Sequence, residues 1–155
     1  MLEIGIYHPQ IPQNTGTLLR VSSCLGVHVN IIGPMGFIFD DTKFRRAGMD
    51  YIATASYSVY TSFDDFLQQH EGRRLVALEI NNKAIAHTDF KFSENDIILV
   101  GSEHAGFQNR DLEKMDEYVI IPMKKDRRSM NMAIATTFAL QEAMRQLNMF
   151  DALNV

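Results

Sequence analysis

The order of elements along this chain of 155 residues predicts an α/β fold in which a mainly parallel sheet is flanked by helices. Strand-like apolar segments alternate with helix-like segments throughout, which is typical of βαβ units. The segment DIILV at residues 96–100 is almost continuously apolar, as expected for a strand that is covered on both faces. The length suits one domain, and we expect that domain to span residues 1–155 with a frayed tail at about 149–155.

The first half of the chain contains three predicted strands, each followed by a predicted helix. Asn14 is a candidate N-cap for the first helix, and Gly26 is a candidate for its C-terminal end. Gly33 and Pro34 mark a turn after the second strand, and Ser62 can cap the third helix. The predicted strands are residues 2–7, 27–32 and 58–62, the second helix covers 41–47, and the third helix ends at 70.

The second half contains three more predicted strands and a long C-terminal helix. The strands are at 74–80, 96–100 and 117–122, with a helix at 109–115 and the long helix at about 131–147. Apolar residues of the long helix occupy more than one narrow face, so we expect one part in the core and another at a subunit interface. In a parallel sheet, ligands bind beyond the carboxyl ends of the strands. Functional residues are therefore expected in the loops that follow the strands.

Charge and composition leave the binding partner open. The net charge of −4 argues weakly against a nucleic-acid partner, although two segments are basic. Because no apolar run could span a bilayer and no secretory signal is visible, we expect a cytoplasmic protein without a membrane partner. The single cysteine, Cys24, is interpreted as a small buried hydrophobe in a reducing compartment. The basic segments contain Lys43, Arg45 and Arg46, and Lys124, Lys125, Arg127 and Arg128.

Two loops after strands carry residues that could bind a ligand. The sequence has neither G-x-G-x-x-G after the first strand nor G-x-x-x-x-G-K-[ST], which disfavours a dinucleotide fold and a P-loop. In GSEHAGF, Gly101 allows close backbone approach to a ligand and Gly106 allows a left-handed turn, while Glu103 could also be simply exposed. In IPMKKDRRSMNMA, Ser129 or Asn131 is a candidate N-cap. A basic loop that leads into a helix N-terminus also suits an anionic partner.

Three short motifs, each weak alone, occur in a specific order along the chain. They are N-x-G-x-x-x-R at Asn14, Gly16 and Arg20, G-x-E-x-x-G at Gly101, Glu103 and Gly106, and S-[LM]-N at Ser129, Met130 and Asn131. Together they resemble the SPOUT superfamily of S-adenosylmethionine-dependent RNA methyltransferases. The closest resemblance is to the small, single-domain tRNA (cytidine/uridine-34) 2′-O-methyltransferases, and it runs over nearly the whole chain.

The resemblance implies a fold, an assembly and a reaction. The implied fold is α/β with a deep trefoil knot in its C-terminal part, and the implied assembly is a homodimer whose active site is completed across the interface. The implied reaction is methyl transfer from S-adenosylmethionine to the ribose 2′-hydroxyl of wobble nucleotide 34 in a tRNA anticodon loop, without a metal. Close relatives frequently have a tyrosine where this chain has Gln141, so we expect the interface to differ in detail.

The resemblance also implies roles for individual residues. Arg20 would act on the 2′-hydroxyl, and because a guanidinium stays protonated at neutral pH, it would stabilise the developing alkoxide or hold the adjacent phosphate while that phosphate takes the proton. The other implied catalytic residues are Asn14, Glu103, Ser129 and Asn131. The implied donor-binding residues are Leu78, Gly101, Glu103, Gly106, Ile121, Ser129 and Met130. The expected RNA contacts are Lys43, Arg45, Arg46, Arg127 and Arg128, with Lys124 and Lys125 as weaker candidates.

Three other functions stay open at this point. The first is methylation of another tRNA or ribosomal RNA ribose by an enzyme of the same superfamily. The second is a non-catalytic RNA-binding module with this fold, against which the intact motif set counts. The third is an unrelated doubly wound nucleotide-binding protein, which the missing phosphate-loop motifs and the basic third loop disfavour.

Overall fold

The structure is a computed structural model that describes residues 1–40, 53–126 and 129–153. Its strands are β1 (Glu3–Tyr7), β2 (His28–Ile32), β3 (Tyr57–Tyr60), β4 (Arg74–Leu78), β5 (Ile85–Ala86), β6 (Asp96–Val100) and β7 (Glu117–Ile120). Its helices are α1 (Pro12–Leu25), α2 (Phe63–Gln69), α3 (Asn109–Leu112) and α4 (Met132–Gln146), followed by a 3-10 helix at Met149–Ala152. None of the helices within these ranges is long and apolar enough to cross a membrane.

The seven described strands form one sheet in the order β3-β2-β1-β6-β4-β7-β5. Every pair of neighbouring strands is parallel, which confirms the predicted α/β class. All carboxyl ends therefore meet at one end of the sheet. The loops after β6, β4 and β7 lie side by side there, because these three strands are neighbours. This arrangement is the usual setting of a ligand site in a parallel sheet.

Alternating side chains of the sheet pack into two apolar layers, one on each face. Ile98 of β6 lies in one cluster with Leu140 of α4, whereas the adjacent Ile97 lies in a second cluster with Phe66 of α2. All four side chains are completely buried. Burial of a side chain of this size stabilises the fold by about 1.5–3 kcal/mol. The apolar run at 96–100 is thus a central strand with both faces covered, as predicted.

The ends of the helices follow local sequence signals, with one exception. Gly26 ends α1 with φ at 67°, Ser62 caps α2 by accepting a hydrogen bond from the Asp65 N–H, and both were predicted. The prediction that Asn14 caps α1 is wrong. Proline at the first helical position starts α1 three residues earlier, with Ile11 as N-cap and no side-chain cap. The side chain of Asn14 is therefore available for other contacts.

Several other predictions need correction. Helix α3 ends at Leu112 rather than at residue 115, and β4 and β7 each end two residues early. Residues 149–152 form a 3-10 helix rather than a frayed tail. Cys24 is exposed rather than buried, because it lies on the side of α1 opposite the buried Ser22. The predicted helix at 41–47 lies outside the described residues.

Candidate functional site

A cavity of about 570 Å³ opens at the carboxyl ends of β4, β6 and β7. Its lining comes from the start of α1 and from the loops after these three strands. The volume is within the range of pockets that hold drug-sized ligands. All seven residues that the sequence assigned to a methyl donor line this cavity. They are Leu78, Gly101, Glu103, Gly106, Ile121, Ser129 and Met130.

The carboxylate of Glu103 fixes the first loop beside the cavity. Its Oε2 accepts a hydrogen bond from the Gln10 backbone N–H at 2.8 Å, and its Oε1 accepts one from the Ile11 N–H at 3.1 Å. Oε1 also accepts from Nδ2 of Asn14 at 3.2 Å. Ile11 is the N-cap of α1, where backbone N–H groups lack helical partners and negative charge is favoured. Glu103 is therefore tied to the start of α1 rather than simply exposed.

Asn131 extends this network from the C-terminal part of the chain. Its Nδ2 donates to Oδ1 of Asn14 at 3.0 Å, while its Oδ1 accepts from the N–H groups of Ala133 and Ile134. Asn131 is thus the N-cap of α4, which decides between the two candidates of the sequence. Glu103, Asn14 and Asn131, which we call the motif network, connect all three sequence motifs at the rim of the cavity.

The two glycines of the second motif shape the loop that carries Glu103. Ser102 and Gly106 exchange two backbone hydrogen bonds, at 3.1 and 2.8 Å. A Cβ atom on Gly101 would lie 2.7 Å from the carbonyl carbon of Gly106, so the loop needs glycine there in order to close on itself. Gly101 also lines the cavity, and its predicted role in close approach to a ligand stays a prediction. Gly106 has φ at 63°, which is the left-handed turn that was predicted.

Arg20 and the basic residues are not part of the motif network. Arg20 lies roughly two turns into α1, is exposed, and is not among the residues that line the cavity. Lys124 and Lys125 are exposed on the loop after β7. The remaining predicted RNA contacts lie outside the described residues. They are Lys43, Arg45, Arg46, Arg127 and Arg128.

His8 occupies an unusual turn between β1 and the first motif. Its φ of 46° is in the left-handed region, which residues other than glycine rarely adopt. The ring stacks on that of Tyr7, with centroids 3.7 Å apart. Burial lowers the pKa of His8 below its ordinary value, although the nearby Asp111 acts in the opposite direction. Burial of the His8 ring therefore favours its neutral form.

Comparison with known proteins places this geometry in a family. Residues 1–141 match the SpoU rRNA Methylase family. The chain belongs to this family. Among SpoU relatives, a tRNA (cytidine(34)-2′-O)-methyltransferase from Ancylobacter novellus is 43% identical over 151 residues, which cover 96% of this chain and 95% of that protein. The protein of the same name from Escherichia coli K12 is 36% identical over 149 residues, with coverage of 95% and 94%.

Two solved structures have the same fold. One, solved to study the 2-OH methylation of C/U34 on tRNA, superposes with a TM-score of 0.87 at 35% identity and covers 96% of this chain and 97% of that chain. An AdoMet-bound rRNA methyltransferase from Sinorhizobium meliloti superposes with a TM-score of 0.81 at 24% identity, over 94% of this chain and 56% of that chain. The second likeness concerns the fold alone.

The sequence reasoning missed part of the lining of this SpoU cavity. Glu79, Met123 and Ala135 line it but had not been assigned. Glu79 could have been found from its position directly after β4, because residues that follow parallel strands face the ligand end of the sheet. Met123 and Ala135 carry no comparable sequence signal. Within residues 1–40, 53–126 and 129–153, no group of three or more His, Cys, Asp or Glu side chains is arranged to hold a metal.

Proposed function

We propose that the protein transfers the methyl group of S-adenosylmethionine to the ribose 2′-hydroxyl of nucleotide 34, a cytidine or a modified uridine, in the anticodon loop of tRNA. The motif network carries this proposal, because it joins three distant motifs at one cavity of ligand size. Two near-full-length relatives, at 43% and 36% identity, are named tRNA (cytidine(34)-2′-O)-methyltransferase, which supports the same substrate.

The lining of the cavity fits the methyl donor. When bound, S-adenosylmethionine supplies an electrophilic methyl group on a sulfonium. Leu78, Ile121 and Met130 provide apolar surface for the adenine ring, and the backbone groups of the surrounding loops provide hydrogen-bond partners. Gly101, Gly106 and Ser129 belong to the same donor pocket. Glu103, Asn14 and Asn131 act as positioning residues, because they form hydrogen bonds with one another and with the starts of α1 and α4.

Arg20 would act on the acceptor ribose rather than on the donor. Displacement at a sulfonium methyl is in line, so holding the 2′-oxygen behind the methyl group supplies much of the rate acceleration. A guanidinium can stabilise the oxygen as it loses its proton, or hold the neighbouring phosphate while that phosphate accepts the proton. Either role places a permanent positive charge beside the RNA backbone.

The second subunit of a homodimer would explain why Arg20 does not line the cavity of its own chain. Ile134 and Phe138 lie one turn apart on α4, and each is 48% exposed. A second copy that covers this apolar surface would allow Arg20 of one subunit to complete the cavity of the other. We also propose one cytoplasmic domain with a knotted C-terminal segment, and RNA contacts from the basic residues of the two basic segments.

Methyl transfer to tRNA tests this proposal. Wild-type protein, Arg20→Ala and Arg145→Ala would be incubated with labelled S-adenosylmethionine and total tRNA that lacks the wobble methylation. Products would be mapped by nuclease digestion and mass spectrometry. We expect a 2′-O-methyl group at position 34 that Arg20→Ala loses and Arg145→Ala retains. Arg145 is a suitable control because it lies in the last turn of α4, whereas the cavity is at the first turn. Its guanidinium pairs with Glu142.

Other outcomes would correct specific parts of the proposal. Methylation at another ribose would keep the reaction and replace the substrate. Equal activity of Arg20→Ala and Arg145→Ala would remove Arg20 from the mechanism. Donor binding without transfer to tRNA or ribosomal RNA would favour a non-catalytic RNA-binding module.

A further inference from the structure

Two carboxylates are in the described lining of the cavity, and they differ in whether both of their oxygens accept hydrogen bonds from the protein. Glu103 accepts three hydrogen bonds from the first loop and α1. Glu79 lies directly after β4, where its backbone N–H donates to the Val119 carbonyl at 3.0 Å and so fixes the start of the loop. The Glu79 side chain is half-buried at the cavity wall. The two residues therefore have the same charge but differ in how readily their carboxylate oxygens can accept a hydrogen bond from a ligand.

The two carboxylate oxygens of Glu79 have different surroundings. Oε1 accepts a hydrogen bond from the Ile80 N–H at 2.8 Å, which holds the carboxylate in one orientation. Oε2 lies across from the second motif, 3.2 Å from where a Cβ atom on Gly106 would be. Within the described part of the chain, Oε2 has no hydrogen-bond donor. A half-buried carboxylate oxygen at a cavity wall can accept a strong, charge-assisted hydrogen bond from a ligand.

The charge of the cavity matches a cationic ligand. Its described lining contains two carboxylates and neither a lysine nor an arginine. S-adenosylmethionine carries a sulfonium and an α-ammonium group, and its ribose hydroxyls are further hydrogen-bond donors. Glycine at 106 leaves the space in front of Oε2 free of a side chain.

We propose that Glu79 binds the methyl donor through Oε2, as acceptor of a hydrogen bond from its α-ammonium group or its ribose hydroxyls. This inference rests on the proposed function, because it takes S-adenosylmethionine as the ligand of the cavity. It adds a donor-binding residue that none of the three sequence motifs contains.

Direct binding measurements test the role of Glu79 without reference to catalysis. Calorimetric titration of wild-type protein, Glu79→Gln and Glu94→Gln with S-adenosylmethionine would compare their dissociation constants. Glutamine keeps an oxygen for the Ile80 N–H but replaces the other acceptor by an amide NH₂ group. We expect Glu79→Gln to bind about 10- to 100-fold more weakly. Glu94 is an exposed glutamate before β6, at the opposite end of the sheet, so Glu94→Gln should bind like the wild type.

Two further ligands identify the group that Glu79 recognises. S-adenosylhomocysteine keeps the α-ammonium group and the ribose but lacks the sulfonium, whereas 5′-methylthioadenosine keeps the ribose and lacks the amino-acid part. If Glu79→Gln binds S-adenosylmethionine and S-adenosylhomocysteine more weakly but binds 5′-methylthioadenosine normally, Glu79 recognises the α-ammonium group. Weaker binding of all three indicates the ribose hydroxyls. Thermal unfolding of each variant, together with a Glu79→Asp variant that keeps the charge, would separate lost contacts from lost structure.

Failure of the inference and failure of the proposed function give different results. Wild-type affinity of Glu79→Gln for all three ligands would overturn the role of Glu79 and leave the donor pocket standing. An effect on S-adenosylmethionine alone would also overturn it, because only the sulfonium would then sense the charge. Lack of donor binding by the wild-type protein would overturn the proposed function, and the inference with it.

Discussion

Two carboxylates at the amino ends of strands, Asp96 and Glu3, accept hydrogen bonds from arginines, whereas Glu103 at the carboxyl ends accepts hydrogen bonds from neutral donors. Asp96, at the start of β6, is completely buried and accepts hydrogen bonds from Nε and Nη2 of Arg74 at 2.7 and 2.8 Å. Glu3, at the start of β1, accepts from Nη1 of Arg73 at 2.7 Å. Glu103 instead accepts from two backbone N–H groups and the amide of Asn14.

The two ends of the sheet therefore use buried charge for different purposes. At the amino ends, the two charges within each ion pair cancel, so these carboxylates contribute to the stability of the fold. At the carboxyl ends, neutral dipoles hold the charge of Glu103 in place without cancelling it. A negative cavity wall remains, and it suits a cationic methyl donor. The position of Glu103 is thus fixed by neutral groups, and the negative potential of its carboxylate can act on a ligand.

The largest expected effect is on stability at the amino ends. Asp96→Ala removes the carboxylate that pairs with Arg74, whose Nη2 keeps only its bond to the Lys91 carbonyl, and leaves the Ser93 N–H without its acceptor. Arg74 is 32% exposed and keeps part of its hydration, so we expect a loss of about 2–4 kcal/mol of unfolding free energy, somewhat less than for a fully buried ion pair. Urea unfolding would measure this loss.

An exposed ion pair offers a matched control for Asp96→Ala. Asp64 pairs with Lys114 at 2.8 Å, but its side chain is 73% exposed. Asp64→Ala should leave the unfolding free energy nearly unchanged, because solvent screens such pairs. If the two variants lost equal stability, burial of the Asp96 pair would not be what anchors this end of the sheet.

The next largest effect is expected at Glu103. Glutamine at this position keeps one acceptor, while its NH₂ group would face N–H donors of the first loop. We expect Glu103→Gln to lose about 1–3 kcal/mol of unfolding free energy. Methyl transfer should fall by roughly 10- to 100-fold, because α1 and the cavity lose their relative position.

Glu113→Gln is the matched control for this change, since Glu113 is exposed after α3. Steady-state transfer to tRNA and urea unfolding would be measured on both variants. Normal transfer by a destabilised Glu103→Gln would show that the motif network maintains the fold only. The two ends of the sheet would then differ in the donors that their carboxylates meet, but this difference would not affect methyl transfer.

Local signals in the sequence predicted the elements well where a residue acts on its neighbours. The bounds of β6 were predicted from its continuous apolar run, and the caps at Ser62 and Gly26 were predicted from residue type. The predicted role of Asn14 as N-cap was wrong because Pro12 starts α1 before it. Its real partners, Glu103 and Asn131, lie 89 and 117 residues away, a distance over which periodicity carries no information.

The candidate site was predicted through its motifs rather than through its chemistry. The three motifs identified the residues of the motif network, but not that their side chains bond to one another. Glu79 belongs to none of the motifs, and its place at the cavity depends on where β4 ends and on how Gly106 turns. Such contacts arise from tertiary packing, so they could not be read from spacing along the chain.

Two glycines with positive φ allow a smaller comparison of the two ends. Gly72 precedes β4 with φ at 81° and open space around it, whereas Gly106 has φ at 63° and faces Glu79. Alanine at either position should cost roughly 1–2 kcal/mol through backbone strain. Only Gly106→Ala should weaken binding of S-adenosylmethionine, because its Cβ would lie 3.2 Å from Oε2 of Glu79. Calorimetric titration and urea unfolding of both variants would separate the effects, and equal donor affinity would contradict a ligand contact at that oxygen.

The smallest expected effect is a change in the pH dependence of stability through Glu3. Burial raises the pKa of Glu3, but hydrogen bonds from Arg73 and Asn30 outweigh burial and hold it below its ordinary value of 4.5. Because the folded pKa is lower than the unfolded one, the ionised carboxylate stabilises the fold fully above pH 4.5. That contribution is lost as the pH falls through the folded pKa.

Glu3→Gln should therefore have a shallower loss of stability below pH 4.5 than the wild type, measured by urea unfolding at a series of pH values. Glu94→Gln, an exposed change at the same end of the sheet, should keep the wild-type slope. Parallel slopes for Glu3→Gln and wild type would mean that the Arg73 pair adds no pH-dependent stability. The contrast between arginine-paired carboxylates and Glu103 would then rest on the ion pair of Asp96 with Arg74.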